Sequence, residues 1–565
     1  MNYLLLYFFS LIIIISIIGY GLLISRIVDK NLLNFNLGYQ GLLGIFTLTI
    51  ISYITIFFTK HDYIHNLILH TVGIFSFVNH FRERKNFTSI KRLIFIFTVL
   101  FVGLLVIVNH DDFNFYHLTY SLGLTEDKLV LGLGNFSHGY KHHSSIFFFN
   151  SIIYLPFIKY YLFHSIGWFT LVFVNYLIID FLLFKKIKSL NFEYYFYLLS
   201  LLFINIKFCR IGGYGTDLSG QIILLIIFPL IYSTLKLNIK DIKFRANLSI
   251  IIILISYTTT LKAFFVFSFI FLIPFLIFFK SKEIIKYIFF SKAFVVSLLT
   301  ISLLLIINIS YTGCAVYPIK ETCFDNKLSW STDKKVVGHM SKWYQQWAKA
   351  GANATYRVEN PDEYIKNFNW VSNWYERYFS YKGNELLIGI FVIFFIFFIL
   401  FMGPNKEKPD KKSKKITITL FLLTILLFFE WFNNHPALRY GGYHLLIIGV
   451  FIPFAYFLSL KKLNFINKKK TIIALIIFSL LVFHLRNYKR INEEFVRVAD
   501  NNFPLFFAPI QTSKEIIISK DIKVYIPTGK YSTSGCWISK TPCVASSNDI
   551  SAKKKYGFKI FYREK

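Results

Sequence analysis

Apolar runs of Ile, Leu and Phe alternate with short polar joints along almost the whole chain. Most runs are close to the ~20 residues that carry a helix across a bilayer. They predict spans at 3–25, 39–58, 64–80, 93–109, 167–184, 193–208, 219–236, 246–261, 263–279, 293–309, 385–403, 416–432, 443–460 and 471–486. The expected fold is all-α and polytopic, with about 14 transmembrane helices. Asn2–Ser25 lacks a basic leading segment and a small-residue cleavage site, so it reads as a retained first span. Residues 146–163 are apolar enough to span, but Pro156 and Lys159 interrupt them. An interfacial or re-entrant helix is expected there, flooring the loop before it.

The same pattern divides the chain. N-terminal membrane helices (1–92) precede a membrane core (93–309) that carries a first outer loop at 110–145. A loop subdomain (310–384), C-terminal membrane helices (385–486) and a tail (487–565) follow. The tail holds an expected strand at Asp521–Ile526 and then CWISKTPC, and reads as a small α/β cap.

Composition adds one exclusion. The chain is 55% hydrophobic and 16% charged, against roughly 25% charged in soluble domains. A formal charge of +32 would suggest nucleic acid in a soluble chain. Here the basic residues crowd the short joints: Arg82–Arg92, Lys185–Lys188, Lys236–Arg245, Lys280–Lys286, Lys406–Lys415 and Lys461–Lys470. Placed in the cytoplasm they alternate correctly with the spans, as the positive-inside rule requires. Membrane lipid, and no nucleic acid, is the implied environment. The amino terminus, the 110–145 loop, the 310–384 loop and the tail then lie outside.

Candidate chemistry gathers on that outer side. His110–Ser145 reads HDDFNFYHLTYSLGLTEDKLVLGLGNFSHGYKHHSS, with Asp111 and Asp112 directly after an apolar run. Carboxylates at the end of a spanning helix lose hydration, so their placement there needs a reason. Arg210 and Asp217 frame RIGGYGTD, Lys262 closes YTTTLK, and His435 and Arg439 stand in NNHPALRYGGY. A lysine beside hydroxyls with no carboxylate in local sequence suits a phosphate rather than a structural ion pair. Lys262, Arg439 and Arg210 are therefore the candidate phosphate-binding cations. Asp112, with Asp111 as fallback, is placed to act as a general base. Tyr116, His117, Asn135, His138, Lys141, Asp217 and His435 are the remaining candidate substrate-binding residues.

Trp343 and Trp347, like Trp370 and Trp374, share a helix face at i, i+4. Such stripes serve as core, as an interfacial belt, or as a platform for a sugar ring. Cys314 with Cys323 and Cys536 with Cys543 lie close enough to bridge, on the oxidising side, and two disulfides are expected. Neither pair has zinc-site spacing. No metal site and no cofactor is assigned; Asp111 and Asp112 could hold a divalent cation, but two adjacent acids are too few to assign one. Cys209 is an expected core residue.

The order of these features resembles the GT-C superfamily of integral-membrane glycosyltransferases, and within it an uncharacterised family of bacterial polytopic membrane proteins. The residues that carry the resemblance are Asp112-x-x-x-Tyr116-His117, Gly132-Leu133-Gly134-Asn135 with His138, Asp217, and Thr260-Leu261-Lys262. Tyr317-Pro318, Trp343 with Trp347, Pro436 with Arg439-Tyr440-Gly441, and Cys536-Trp537 with Pro542-Cys543 continue it. It runs from about Phe95 to the end and leaves the first three spans unmatched. Where such proteins tend to carry an arginine after the GLGN turn, this chain has Tyr140 and Lys141.

The resemblance implies an inverting glycosyltransferase in a bacterial inner (cytoplasmic) membrane, its active site facing the periplasm or exterior. It implies a polyprenyl-phosphate sugar donor, a glycan or lipid acceptor from the cell envelope, and Asp112 as the catalytic carboxylate, acting as general base. Two alternatives stay open: an O-antigen polymerase or ligase, and a transporter or flippase of lipid-linked saccharides. The first predicts an Arg/His constellation in the late loop, and the second predicts charges near mid-membrane and an internal repeat.

Overall fold

The computed structural model describes residues 3–84, 87–106, 108–110, 112–137, 139–185, 189–213, 215–325, 327–351, 360–405, 410–498, 509–519, 522–530, 532, 535–544 and 550–563. The first helices are α1 (Tyr3–Val28), α2 (Leu37–Thr55), α3 (Tyr63–Arg84) and α4 (Phe87–Leu100). A segment with α5 (Leu118–Glu126) and α6 (Ser145–Ile152) leads to α7 (Ser165–Phe184), α8 (Phe192–Lys207), α9 (Gly215–Lys236) and α10 (Ile242–Leu261). Next come α11 (Ile273–Phe279), α12 (Lys282–Phe289) and α13 (Lys292–Thr312), and then α14 (Lys334–Lys349), α15 (Pro361–Tyr364) and α16 (Val371–Trp374) in the loop subdomain. The last membrane helices are α17 (Ser380–Phe401), α18 (Lys411–Asn434), α19 (Gly442–Ser459) and α20 (Phe465–Val498).

Among the described residues, 11 helices are long and apolar enough to cross a membrane. This is the architecture of a multi-pass helical protein. Helices α7, α9 and α10 are buried almost all round, whereas α13, α17 and α18 leave large apolar side chains such as Leu298, Phe391 and Leu422 exposed. Contiguous apolar surface on outer helices suits contact with lipid tails.

Three expected spans fall short of that standard, each for its own reason. Helix α8 has 16 residues, and Ala263–Phe279 begins as a 3-10 helix and is short. Helix α3 is long enough but polar along one face. Its Asn66 amide donates to the carbonyls of His61, Ser151 and Tyr154, and His70 bonds Ser16 and the Ile152 carbonyl. Partners on neighbouring helices let that polar face stay buried. Close backbone approach helps: a Cβ on Gly19, Gly21 or Gly44 would collide with the carbonyl of Gly73, Gln40 or Ile17.

Residues 146–163 do not make one helix. Helix α6 stops at Ile152, and a turn closed by Lys159 N–H donating to Leu155 O (2.8 Å) follows. Its side chains are buried against α2, α5 and α7 rather than lying at a surface.

The tail departs from the expected α/β cap. Two antiparallel hairpins form it, β1 (Ser513–Ser519) with β2 (Ile522–Pro527), and β3 (Ser551–Lys555) with β4 (Phe558–Tyr562). The expected strand at Asp521–Ile526 is β2, and the helical part belongs to α20, which runs on to Val498. The cap is fastened to the 110–145 segment. Leu131 exchanges backbone bonds with Lys559 and Phe561, and Glu126 accepts from Thr541 N–H and its hydroxyl. Cys314–Cys323 and Cys536–Cys543 are both disulfides, and Cys209 is buried and unbridged.

Candidate functional site

Helix ends on one side of the bundle line a cavity of about 1390 Å³, larger than the roughly 300–1,000 Å³ of ordinary ligand pockets. Four helix termini set its floor. Asp217 starts α9, Lys262 follows the last residue of α10, and Arg439 precedes α19. Asp112 opens a wide π turn at Phe113–His117, a local distortion often found at functional sites.

These residues form one chain of contacts. Lys262 Nζ lies 2.8 Å from Asp217 Oδ1, and Asp217 Oδ2 lies 3.7 Å from Arg439 Nε. Arg439 Nη1 donates to His110 Nε2 (3.1 Å), and His110 Nδ1 lies 3.3 Å from Asp112 Oδ2 and 3.1 Å from Asp112 N. Burial opposes ionisation of Asp112, but His110, and then His117 and Arg439, outweigh it and hold the carboxyl well below the usual range.

The sequence offered no carboxylate near Lys262, and the expectation of a lysine outside any structural ion pair is corrected here. Helix adjacency supplies Asp217. Aromatic rings complete the setting: Lys262 Nζ stands 4.8 Å from the Tyr440 ring, and the Arg439 guanidinium 4.9 Å from Trp347. Gln221, one turn beyond Asp217, donates to Arg439 O (2.9 Å) and accepts from His444 N–H (3.1 Å), fixing the arginine-bearing loop.

Other expected residues divide. Arg210, Tyr116, Lys141 and His435 line the cavity. Arg210 also bonds Val108 O (3.2 Å) and faces Glu494 (3.5 Å). Burial pushes His435 down to about 4, so it is neutral in ordinary buffers. His117 packs against Tyr116 and Phe147, and burial lowers it to about 3 against the pull of Asp112. Asn135 is not among the residues that line the cavity. Its amide donates to Trp330 O and Phe561 O, both 3.1 Å, and joins loop subdomain to tail. Asp111 and His138 lie outside the described residues. Among the described residues, no group of three or more His, Cys, Asp or Glu could hold a metal ion.

The tryptophan pairs separate as well. Trp343 and Trp347 line the cavity. Trp370 and Trp374 are core: they pack on Phe432, and Trp374 Nε1 donates to Pro436 O (2.7 Å).

Sequence reasoning missed Tyr440, Tyr344, Tyr378 and Glu430 as lining residues. Glu430 carried a usable signal, a lone acid near the end of an apolar run; the tyrosines, among 36 in the chain, carried none. It also overlooked the cavity's apolar flank. Phe264, Val266 and Phe267, from the 3-10 helix Ala263–Leu272 just after Lys262, line it, and Val266 and Phe267 are also half-exposed.

No curated protein and no solved structure matches the chain. A family match covers the first three spans, which the resemblance described above omits, and stops within α19. Over residues 1–447 the chain matches, and therefore belongs to, the family described as a domain of unknown function (DUF8201).

Proposed function

We propose that the protein is a membrane glycosyltransferase of the GT-C type. It moves a sugar from a polyprenyl-phosphate donor to a cell-envelope acceptor at the outer face of a bacterial cytoplasmic membrane. The observation that carries this reading is the joining of Asp112 to the Lys262–Asp217–Arg439 cluster in a cavity with an apolar flank beside Lys262. A lipid phosphate needs cations next to an apolar surface, and a hydroxyl acceptor needs a carboxylate.

In this reaction the acceptor oxygen bonds to the anomeric carbon as the bond from that carbon to the phosphate oxygen breaks. The electron pair leaves with polyprenyl phosphate, whose charge Lys262 and Arg439 stabilise. The acceptor proton passes to Asp112. A carboxyl held below its usual range is a weak base. It suits a transfer in which the leaving group departs early and the proton moves late.

The test is a transfer assay with purified protein, a panel of polyprenyl-phosphate sugars and envelope lipid extract, wild type beside Asp112→Asn. Asparagine keeps the size and removes the base, so turnover should fall at least about a hundredfold with donor binding retained. Full activity in Asp112→Asn removes that residue from the mechanism. Donor binding by wild type with no transfer across the panel favours a lipid-linked-saccharide transporter instead.

A further inference from the structure

The charges around the cavity are unevenly matched. Lys262 and Arg439 each have a carboxylate in reach, Asp217 directly and Asp112 through His110. Lys141, which closes the 3-10 turn Gly139–Lys141, lines the same cavity and has no carboxylate within ion-pair distance among the described residues. The charged neighbour that acts on it is another cation. Arg563, from the tail, donates to Asn135 O (3.2 Å) and adds repulsion to the desolvation that pulls the Lys141 ammonium down to about 8.

Three polar groups accompany Lys141. His142 Nε2 meets Tyr344 Oη at 2.8 Å, and Lys141 Nζ lies 5.8 Å from the Tyr317 ring. Tyr317 is 8% exposed and lines the cavity; its hydroxyl stands near that of Tyr344 but, among the described residues, meets no partner in hydrogen-bonding geometry. A buried hydroxyl left unmatched beside a desolvated ammonium is costly unless something else satisfies both. An anionic oxygen does so, accepting from the hydroxyl and neutralising the ammonium.

We propose that Lys141 and Tyr317 form a second anion site, distinct from the Lys262–Arg439 cluster, which takes a phosphate or carboxylate group of the acceptor. Assignment to the acceptor follows from the surroundings. The apolar flank that suits a lipid chain continues from Lys262, whereas Lys141 is enclosed by the loop subdomain (Tyr317, Tyr344) and the tail (Arg563). A soluble or surface glycan reaches the cavity from that side. The acceptor assignment rests on the transferase reading; the anion site itself does not.

Competitive amine labelling of the full-length protein in nanodiscs, read lysine by lysine by mass spectrometry, tests this. Without ligand, Lys141 should react at mildly alkaline pH ahead of surface lysines such as Lys489. Glycerol 3-phosphate and glucuronate, the phosphate and carboxylate probes, should each slow Lys141 by about fivefold or more. Farnesyl monophosphate should protect Lys262 and leave Lys141 unchanged. Protection of Lys141 should survive in Lys262→Met and weaken in Tyr317→Phe, with the other lysines labelling as in wild type.

Lys141 labelling at the surface rate with no protection by either probe overturns the site. Loss of its protection in Lys262→Met means one shared anion site and overturns the second. Protection of Lys141 by farnesyl monophosphate alone assigns the anion to the donor and overturns the acceptor assignment. Protection by glycerol 3-phosphate in a protein that transfers nothing leaves this site standing and removes the transferase reading instead.

Discussion

Asp217 is the residue on which the cluster turns. Its carboxylate is 9% exposed and sits between Lys262 and Arg439, so neutralising it leaves two cations facing each other at a desolvated helix end. Breaking such a buried pair costs about 3–5 kcal/mol when one partner is removed. Asp217→Asn should therefore lower the unfolding midpoint in detergent sharply. Lys262→Met should cost less, because Asp217 keeps Arg439. In the double variant the losses should fall short of their sum by about 1–3 kcal/mol, the coupling expected of contacting charges. Strict additivity would mean that the two do not act as a pair. The sequence marked both residues, each at the outer end of an apolar run, yet hid their contact. Consecutive antiparallel helices bring the start of α9 to the same end as the residue after α10, but that the two side chains meet shows only in the packed structure.

At the scale of elements, the segment leading to Asp112 is held by a helix far away in sequence. Arg490 and Glu494, one turn apart on α20, pair at 3.0 Å and are almost fully buried. Arg490 donates to Leu105 O (2.8 Å), and Glu494 accepts from Val108 N–H (3.3 Å) and faces Arg210 (3.5 Å). Helix α20 thus fixes the backbone two to five residues before His110 without lining the cavity itself. Glu494→Gln keeps the shape and removes the charge that two arginines share. It should destabilise the protein by about 3 kcal/mol and weaken donor binding by loosening His110, which thermal unfolding and a donor-binding titration would measure. Unchanged stability and binding would show that α20 does not position the loop. Here the sequence misled for a physical reason. Charges at Arg486, Lys489, Arg490 and Glu494 end the apolar run, so hydropathy closes the span early, although their i, i+4 spacing is that of a helix still in progress. The apolar spans themselves were legible because lipid imposes length and composition together. Helix α3 was legible as a helix, but its polar face showed only through partners on α1 and α6.

For the whole molecule, one end collects the chemistry and the other the surplus positive charge. Asp112, Asp217, Lys262 and Arg439 line the cavity with Cys536 and Cys543, and Cys314 follows the same end of α13. Lys236, Lys412, Lys461 and Lys468 stand at the far ends of α9, α18, α19 and α20. Two disulfides at the cavity end need an oxidising compartment, and basic joints at the other end favour the cytoplasm. Both point the same way, although they arise from unrelated physics. Cysteine labelling of intact bacterial cells with a membrane-impermeant maleimide decides the orientation. Lys342→Cys, in α14 on the cavity side and 61% exposed, should label before lysis. Lys412→Cys should label only after it, and buried Cys209 should give little background. The reverse pattern would put the disulfides on the reducing side and turn the cavity towards the cytoplasm. There a soluble nucleotide-sugar donor would be within reach, and the case for a lipid-linked one would fall with the topology.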